Sequence, residues 1–331
     1  MREEARAFLA AHGFGAAELR PLPGDASFRR YARLLGGPRP ALLMDAPPSE
    51  DVRPFARIAR HLLAAGLSAP EILAEDPARG FLLVEDFGEA THADLLDAGA
   101  DPEPLYAEAA TALAVLHATP PPPGLPAWDA AAMARAAAAT FLDWWWPEAF
   151  GAPPAPPVRA ALDAALAEML APFAGARGFV HRDYFPANLM RLPDRAVARR
   201  TGILDFQDAA LGHPAYDLVS LVEDARRDVA LGARRDAVEN YIACRPGIDW
   251  EDFAAAMAAH GAQRHLRVAA LWVRLARRDG KPGYLIHGPR CWALLDRALS
   301  DEAAAPLARF LDRHVPRDMR RNPPSLEQAA P

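Results

Sequence analysis

The sequence predicts an α+β protein of two lobes, a small antiparallel sheet carrying one helix followed by a larger, mainly helical lobe. Three observations predict it. Short strand-like segments alternate with Gly/Pro turns through the first part of the chain, and after Asp86-Phe87-Gly88 the sequence becomes alanine-rich and helical. The helical part is interrupted by strand-like material at Asn188 to Leu192 and Thr201 to Leu204, joined by the charged turn Pro193-Asp194-Arg195.

Along the chain, Ser27 to Leu35 and Pro40 to Asp45, separated by Gly36-Gly37-Pro38, read as a hairpin. Val52 to Ala65 has helical period, and Glu71 to Ala74 and Gly80 to Glu85 flank the turn Asp76-Pro77-Ala78-Arg79. Together they make a first lobe over residues 1–88. Asp101-Pro102 opens the next helix, an acid at the N-cap followed by proline in the first turn, with Leu105, Ala109, Ala112, Leu113 and Leu116 on one face. Proline clusters at Thr119 to Pro123 and Pro153 to Pro157 bound a helical insert ending in Trp144-Trp145-Trp146-Pro147. The helical lobe is expected over residues 89–315, and the polar, proline-containing stretch 316–331 as a flexible tail.

Composition narrows the function. The chain has 331 residues, 51% of them hydrophobic, enough to bury a core in each lobe. A formal net charge of −6 argues against a broad phosphate-neutralising face for nucleic acid. Cys244 and Cys291 lie far apart without metal or redox spacing. The N-terminal MREEARAFLA is acidic, with too short an apolar part for a signal-peptide core, and no uncharged apolar run approaches the ~20 residues of a membrane span. A cytoplasmic monomer that engages neither nucleic acid nor membrane is therefore expected. Lys281 is the only lysine, so a mechanism that requires one elsewhere is excluded.

The chemistry lies in the interruption. His181-Arg182-Asp183-Tyr184-Phe185-Pro186-Ala187-Asn188 fits the H-R-D-x-x-x-x-N pattern of kinase catalytic loops, and Ile203-Leu204-Asp205-Phe206-Gln207 stands where a metal-binding D-F-G segment would come next. Phosphoryl transfer needs a carboxylate to orient the attacking hydroxyl and take its proton, and Asp183 is placed for that. It also needs hard oxygen ligands for Mg2+, which Asn188 and Asp205 supply. Either element alone is common; both, in order and one strand-turn-strand unit apart, point to phosphoryl transfer from ATP with Asp183, Asn188 and Asp205 as catalytic residues.

From about residue 20 to 300 the chain resembles the aminoglycoside phosphotransferase/choline kinase superfamily, which shares the bilobal protein-kinase fold. Within it, the chain is most similar to the bacterial anomeric kinases that phosphorylate N-acetylmuramate and N-acetylglucosamine in cell-wall recycling. The resemblance is carried by Gly24 to Tyr31, Met44 to Pro48, His181 to Asn188, Leu204 to Asp208, Tyr216 to Leu221, Gln263 to Leu266 and Arg278 to Pro282.

The resemblance implies further roles. Gly24, Asp25, Ser27 and Phe28 fall in the nucleotide loop, with Arg29 and Arg30 beside it; Leu83 to Phe87, including Glu85 and Phe87, resembles the hinge whose backbone meets the adenine edge. His181 and Asp217 are structural, Asp217 bracing the catalytic loop or else capping its own helix near Pro214. Trp144, Trp145, Asp224, Gln263 and Arg264 join Asp183 at the acceptor, although the tryptophans also suit plain hydrophobic packing. Arginines 226, 227, 264, 267, 274, 277 and 278 favour a neutral or anionic acceptor such as N-acetylmuramate over a polycation, unless they are solvated helix faces.

One departure stands out. Protein kinases place a lysine on the third strand, which here reads Ala41-Leu42-Leu43-Met44-Asp45, so either an arginine, Arg29 or Arg30 first, replaces it or metals and backbone hold the triphosphate. The expected function is an ATP- and Mg2+-dependent sugar 1-kinase. The alternatives are a kinase of another small alcohol (an aminoglycoside, a choline-like amine, a homoserine-like acceptor) and an inactive kinase fold serving as a nucleotide sensor or scaffold.

Overall fold

In chain order the chain forms α1 (Glu4–Ala11), β1 (Glu18–Pro21), β2 (Arg30–Leu35), β3 (Ala41–Asp45), α2 (Arg53–Ala64), β4 (Ile72–Asp76), β5 (Phe81–Glu85) and α3 (His92–Asp97). Next come α4 (Pro102–Ala118), α5 (Ala130–Thr140), α6 (Trp146–Phe150), α7 (Pro156–Leu170), β6 (Gly178–Val180), β7 (Leu189–Arg191), β8 (Thr201–Ile203) and β9 (Ala210–Gly212). The rest is helical: α8 (Ala215–Val222), α9 (Leu231–Ala243), α10 (Trp250–Arg278), α11 (Gly288–Ala298), α12 (Ala305–His314) and α13 (Pro324–Glu327). The computed structural model describes residues 4–23, 28–175 and 177–327. Packing divides the chain into two compact units, Met1–Asp101 with Pro186–Asp208, and Pro102–Phe185 with Ala209–Pro331.

In the first unit the antiparallel sheet runs β1-β2-β3-β5-β4. Both expected hairpins are present, and Gly36 takes φ +75° at the turn between β2 and β3, where a side chain would be strained. Two elements escaped the sequence. Strand β1 is an edge strand ending in Pro21, with three of its four residues exposed, so it carries no inside/outside alternation. Helix α1 is short, but Ala5, Phe8 and Leu9 share one face and bury against Leu34, Leu43, Phe81 and Leu83. Full burial of a side chain such as Phe8 is worth about 1.5–3 kcal/mol.

The β7–β8 hairpin belongs to this unit by its hydrogen bonds. Ile203 N donates to the Ser68 carbonyl (2.7 Å), and Ser68 Oγ donates to the Arg199 carbonyl (2.7 Å). Arg195 donates to Ser68 Oγ (2.9 Å) and to the Glu85 carboxylate, and its guanidinium lies 5.0 Å over the Phe87 ring. Gly202 is needed here: a Cβ would stand 2.8 Å from that same ring.

The second unit is organised around α10, which buries Ala259, Ala262, Leu266, Trp272 and Val273 among residues of α5, α7, α11 and α12. A π-helical turn, Phe141–Trp145, joins α5 to α6 within the tryptophan-rich insert. The β6–β9 pair was not expected, because three-residue strands show no periodicity and their partners lie on opposite sides of the catalytic segment. The chain after Val315, expected as a flexible tail, packs instead as far as Leu326. Leu326 is buried, Asn322 Nδ2 donates to the Leu285 carbonyl (2.7 Å), and the Arg321 carbonyl accepts from Trp145 Nε1 (2.9 Å). Its polar composition concealed these anchors. No helix among the described residues is long and apolar enough to cross a membrane.

Candidate active site

Strand β6 leads directly into the catalytic loop, and a buried carboxylate fixes the first residues of that loop. Asp217 on α8 accepts from the backbone N–H of His181 (2.6 Å) and of Arg182 (2.8 Å). Its other contact is His117 Nε2 at 3.3 Å, while His117 Nδ1 meets the Tyr241 hydroxyl at 2.7 Å. Burial pushes the His117 pKa below the ordinary value although Asp217 pulls the other way. Of the two expectations for Asp217, the geometry is that of a brace on the loop.

The loop is pinned elsewhere too. Tyr184 is fully buried and donates its hydroxyl to the Ala109 carbonyl (2.9 Å), and the Arg182 guanidinium lies 4.2 Å over the Trp128 ring. Arg182 adopts φ +76°, a conformation that costs a non-glycine residue about 1–3 kcal/mol and persists because Asp217, Trp128 and Tyr184 over-determine it. Asp183 N donates to Nδ1 of the buried His181 (3.3 Å), which places the ring proton on Nε2. Asp183 itself is half-buried. A cation lies near it: burial works against the Arg267 charge, but Tyr216 and Asp183 outweigh that and hold its pKa above the ordinary arginine value.

In the first unit, pairing of β7 with β8 brings the other two predicted residues together. The Leu204 N–H donates to the Asn188 carbonyl (3.0 Å), the Asn188 amide lies 3.4 Å from Asp205 Oδ2, and Gln207 Nε2 donates to Asp205 Oδ1 (2.7 Å). Asp205 is exposed and takes φ +58°, while the next side chain, Phe206, is fully buried against Phe55 with ring centroids 4.7 Å apart. The buried phenyl anchors a strained turn that holds the carboxylate outward. Here the Asn188 Nδ2 faces the carboxylate, so the Asn188 Oδ1 points away from it; an exposed carboxylate with an amide beside it supplies the oxygen types that magnesium takes, the ion keeping its remaining positions for water and phosphate.

Of the nucleotide-binding positions, Gly24, Asp25 and Ser27 lie outside the described residues. Phe28 is 76% exposed and Arg30 is exposed, whereas Arg29 turns inward and pairs with Glu50 at 3.0 Å. Alternation thus selects Arg29. In the hinge, Arg33 clamps Asp86 through both carboxylate oxygens, Glu85 is held by Arg195, and the Phe87 ring packs on Gly202. The hinge backbone is partly engaged as well, the N–H of Glu85 donating to the Glu71 carbonyl (2.9 Å) and that of Gly88 to Asp86 Oδ1 (2.9 Å).

The structure places the acceptor residues expected from the sequence at different depths. Trp145 is wholly enclosed, stacked on Phe141 with centroids 4.8 Å apart and its Nε1 committed to Arg321, so it has no face for a ligand; Trp144 is half-buried against the same core. Gln263 is fully buried and donates to the Met133 carbonyl (2.8 Å); Arg264 is 2% exposed and donates to Ser220 Oγ (2.8 Å). Asp224, also 2% exposed, accepts from the backbone N–H of Arg226 (2.9 Å). Gln263 Oε1 and Arg264 Nε and Nη1 are buried with no hydrogen-bond partner among the described residues. Their neighbour Glu223 is held internally: burial alone would raise its pKa, but the His265 hydrogen bond and the charges of Arg297 and Arg234 hold it at about 2.

What the sequence carried only as members of a set are Arg226 and Arg267. Arg226 lies 4.3 Å over the ring of Phe185 in the catalytic loop and 5.4 Å over that of Trp272. No local pattern marks this, since the three residues come from separate segments.

Comparison with known proteins agrees with the geometry. A model of the phosphotransferase enzyme family matches residues 18–256. The chain is 38% identical to an N-acetylmuramate/N-acetylglucosamine kinase of Caulobacter vibrioides, covering 97% of this chain and 98% of that one. It is 38% identical to a protein of the same name from Pseudomonas aeruginosa, covering 88% and 87%. Among solved structures it is similar to a choline/ethanolamine kinase family protein from Mesorhizobium loti, with TM-score 0.65 and 16% identity over 94% of this chain and 99% of that one. It is also similar to the aminoglycoside phosphotransferase APH(4)-Ia in complex with AMP-PNP and hygromycin B, with TM-score 0.58 and 17% identity over 90% and 99%. The resemblance read from the motifs is borne out, and so is the protein-kinase-like α+β fold.

Proposed function

We propose that this chain, which belongs to the phosphotransferase enzyme family, moves the γ-phosphoryl group of ATP onto the C1 hydroxyl of an N-acetylated amino sugar, N-acetylmuramate or N-acetylglucosamine. The observation that carries the reading is the grip of Asp217 on the backbone of His181 and Arg182, which leaves Asp183 as a half-buried carboxylate at the end of an over-determined loop. The names of the relatives support the acceptor, and a cytoplasmic place in the recycling of cell-wall sugars goes with it.

Asp183 takes the proton of the attacking hydroxyl; the ring oxygen makes the C1 hydroxyl the most acidic on the sugar and the easiest to activate. Asn188 and Asp205 supply the oxygen pair for magnesium, which when bound neutralises charge on the triphosphate oxygens. Arg29, backed by Glu50, takes the part of the missing lysine and holds the phosphates, which also speaks against an inactive fold.

Two results test this. Arg29→Ala is expected to raise the KM for ATP about 10-fold, the scale of one charge-assisted contact, and to move the sugar KM less; normal ATP kinetics would return the phosphates to metal and backbone alone. ADP release should be stimulated by N-acetylmuramate or N-acetylglucosamine above aminoglycosides and choline. Phosphorus NMR of the product should show a 1-phosphate coupled to the anomeric proton, and a methyl glycoside blocked at O1 should not react. A stable 6-phosphate would overturn the regiochemistry.

A further inference from the structure

We infer that Arg226 reads the carboxylate of an anionic amino-sugar acceptor and so sets the preference between N-acetylmuramate and N-acetylglucosamine, an assignment that rests on the sugar-kinase reading above. These two sugars differ by a lactyl ether on O3, which carries a carboxylate ionised at neutral pH. A cation placed within reach of the O3 side of the ring would distinguish them.

Arg226 is built for that. It sits on the turn after α8, and the buried Asp224 holds its backbone N–H. Its guanidinium is held flat by two aromatic faces, Phe185 at 4.3 Å and Trp272 at 5.4 Å, rather than by an acid. Trp272 is rigid in turn, stacked on Tyr284 with centroids 5.4 Å apart and planes 9° apart, and bonded through Nε1 to Cys291 Sγ (3.2 Å). Among the described residues the Arg226 guanidinium makes no hydrogen bond or ion pair. Of the nearby arginines, Arg290 is held by Asp228 through both carboxylate oxygens, Arg264 is buried and donates to Ser220, and Arg267 donates to Tyr216.

A planar guanidinium with its N–H donors uncommitted matches a carboxylate through two parallel hydrogen bonds. Its position suits the acceptor as well. Phe185, beneath it, is two residues past Asp183 in one loop, so their Cα atoms are at most about 7 Å apart. A pyranose with its C1 hydroxyl at Asp183 spans about the distance from there to the shelf formed by Phe185 and Arg226, and one orientation of the ring brings its O3 substituent to that shelf.

The test is kcat/KM for both sugars with the wild type, Arg226→Met and Arg226→Lys. Arg226→Met keeps an apolar chain on the rings; it is expected to lower kcat/KM for N-acetylmuramate about 10–100-fold, mainly through KM, and to cost at most a few-fold with N-acetylglucosamine. Arg226→Lys, which keeps the charge without the fork, should recover part of the loss. Equal losses with both sugars would reduce Arg226 to a loop support, and unchanged kinetics with both would put the carboxylate elsewhere; either result overturns the assignment and leaves the sugar-kinase reading intact. A wild-type enzyme that phosphorylates neither sugar would strike the function itself, and the assignment with it.

Discussion

Asp183→Asn is expected to keep nucleotide and sugar binding and to lose about 10²–10⁴ in kcat, the range over which removing a general base acts. The substitution is nearly isosteric, and other groups hold the loop around it. Its path is set by the Asp217 bonds to His181 and Arg182, by the Tyr184 hydroxyl on Ala109 and by the stacking of Arg182 on Trp128. What the amide loses is the ability to accept a proton. Steady-state kinetics with a binding isotherm for ATP separates the two effects, and a turnover within a few-fold of wild type would remove Asp183 as the base.

Asp205→Ala is expected to lose about 10³-fold or more in turnover and to need far higher magnesium to recover any of it, since stabilising charge on the transferring group is among the largest single contributions to such catalysis. The fold should tolerate the change. Asp205 is exposed, its neighbour Phe206 remains the anchor, and the amides of Asn188 and Gln207 that meet its carboxylate have access to water. Removing a side chain at φ +58° does not cure the strain, because alanine also disfavours that region; Asp205→Gly is the variant that tests strain separately. A magnesium titration of rate that matched the wild type would assign the metal to another residue.

The sequence was most legible where chemistry and backbone requirements coincide. Turn residues such as Gly36 and the Pro77–Arg79 stretch announced the hairpins, and the catalytic motif announced the loop and the β7–β8 turn because each polar position has a distinct task. Elements held by packing alone were silent: α1 offers one short apolar face, and β6 and β9 are too short to show a period. The acceptor side was harder to read for a related reason. From His260 to Leu266 every residue of α10 is buried, and Gln263, Arg264 and His265 each have a partner inside the unit, Met133, Ser220 and Glu223, while Gln263 Oε1, Arg264 Nε and Nη1 and His265 Nδ1 have none among the described residues. A linear pattern records that polar residues share a segment, but whether they face a ligand or each other depends on partners about forty residues or more away.

The segment Pro186–Asp208 packs with Met1–Asp101 although the intervening chain builds the other unit. On the ribosome the first of these pieces is finished about a hundred residues before the second, a wait of about 5–20 s at 5–20 residues per second. The core between α1 and the sheet draws only on residues between Ala5 and Phe81–Leu83, so it can collapse at once. The β7–β8 hairpin has no such independence, because two strands of three residues do not stand alone in water. It can settle only on a sheet that already presents the Ser68 carbonyl, Glu85 and Phe87. The open end of the hairpin, where Asn188 and Asp205 flank β7 and β8, is therefore a late product of folding, and a nascent chain with its sheet in place does not bring these two residues together until the hairpin has emerged and docked.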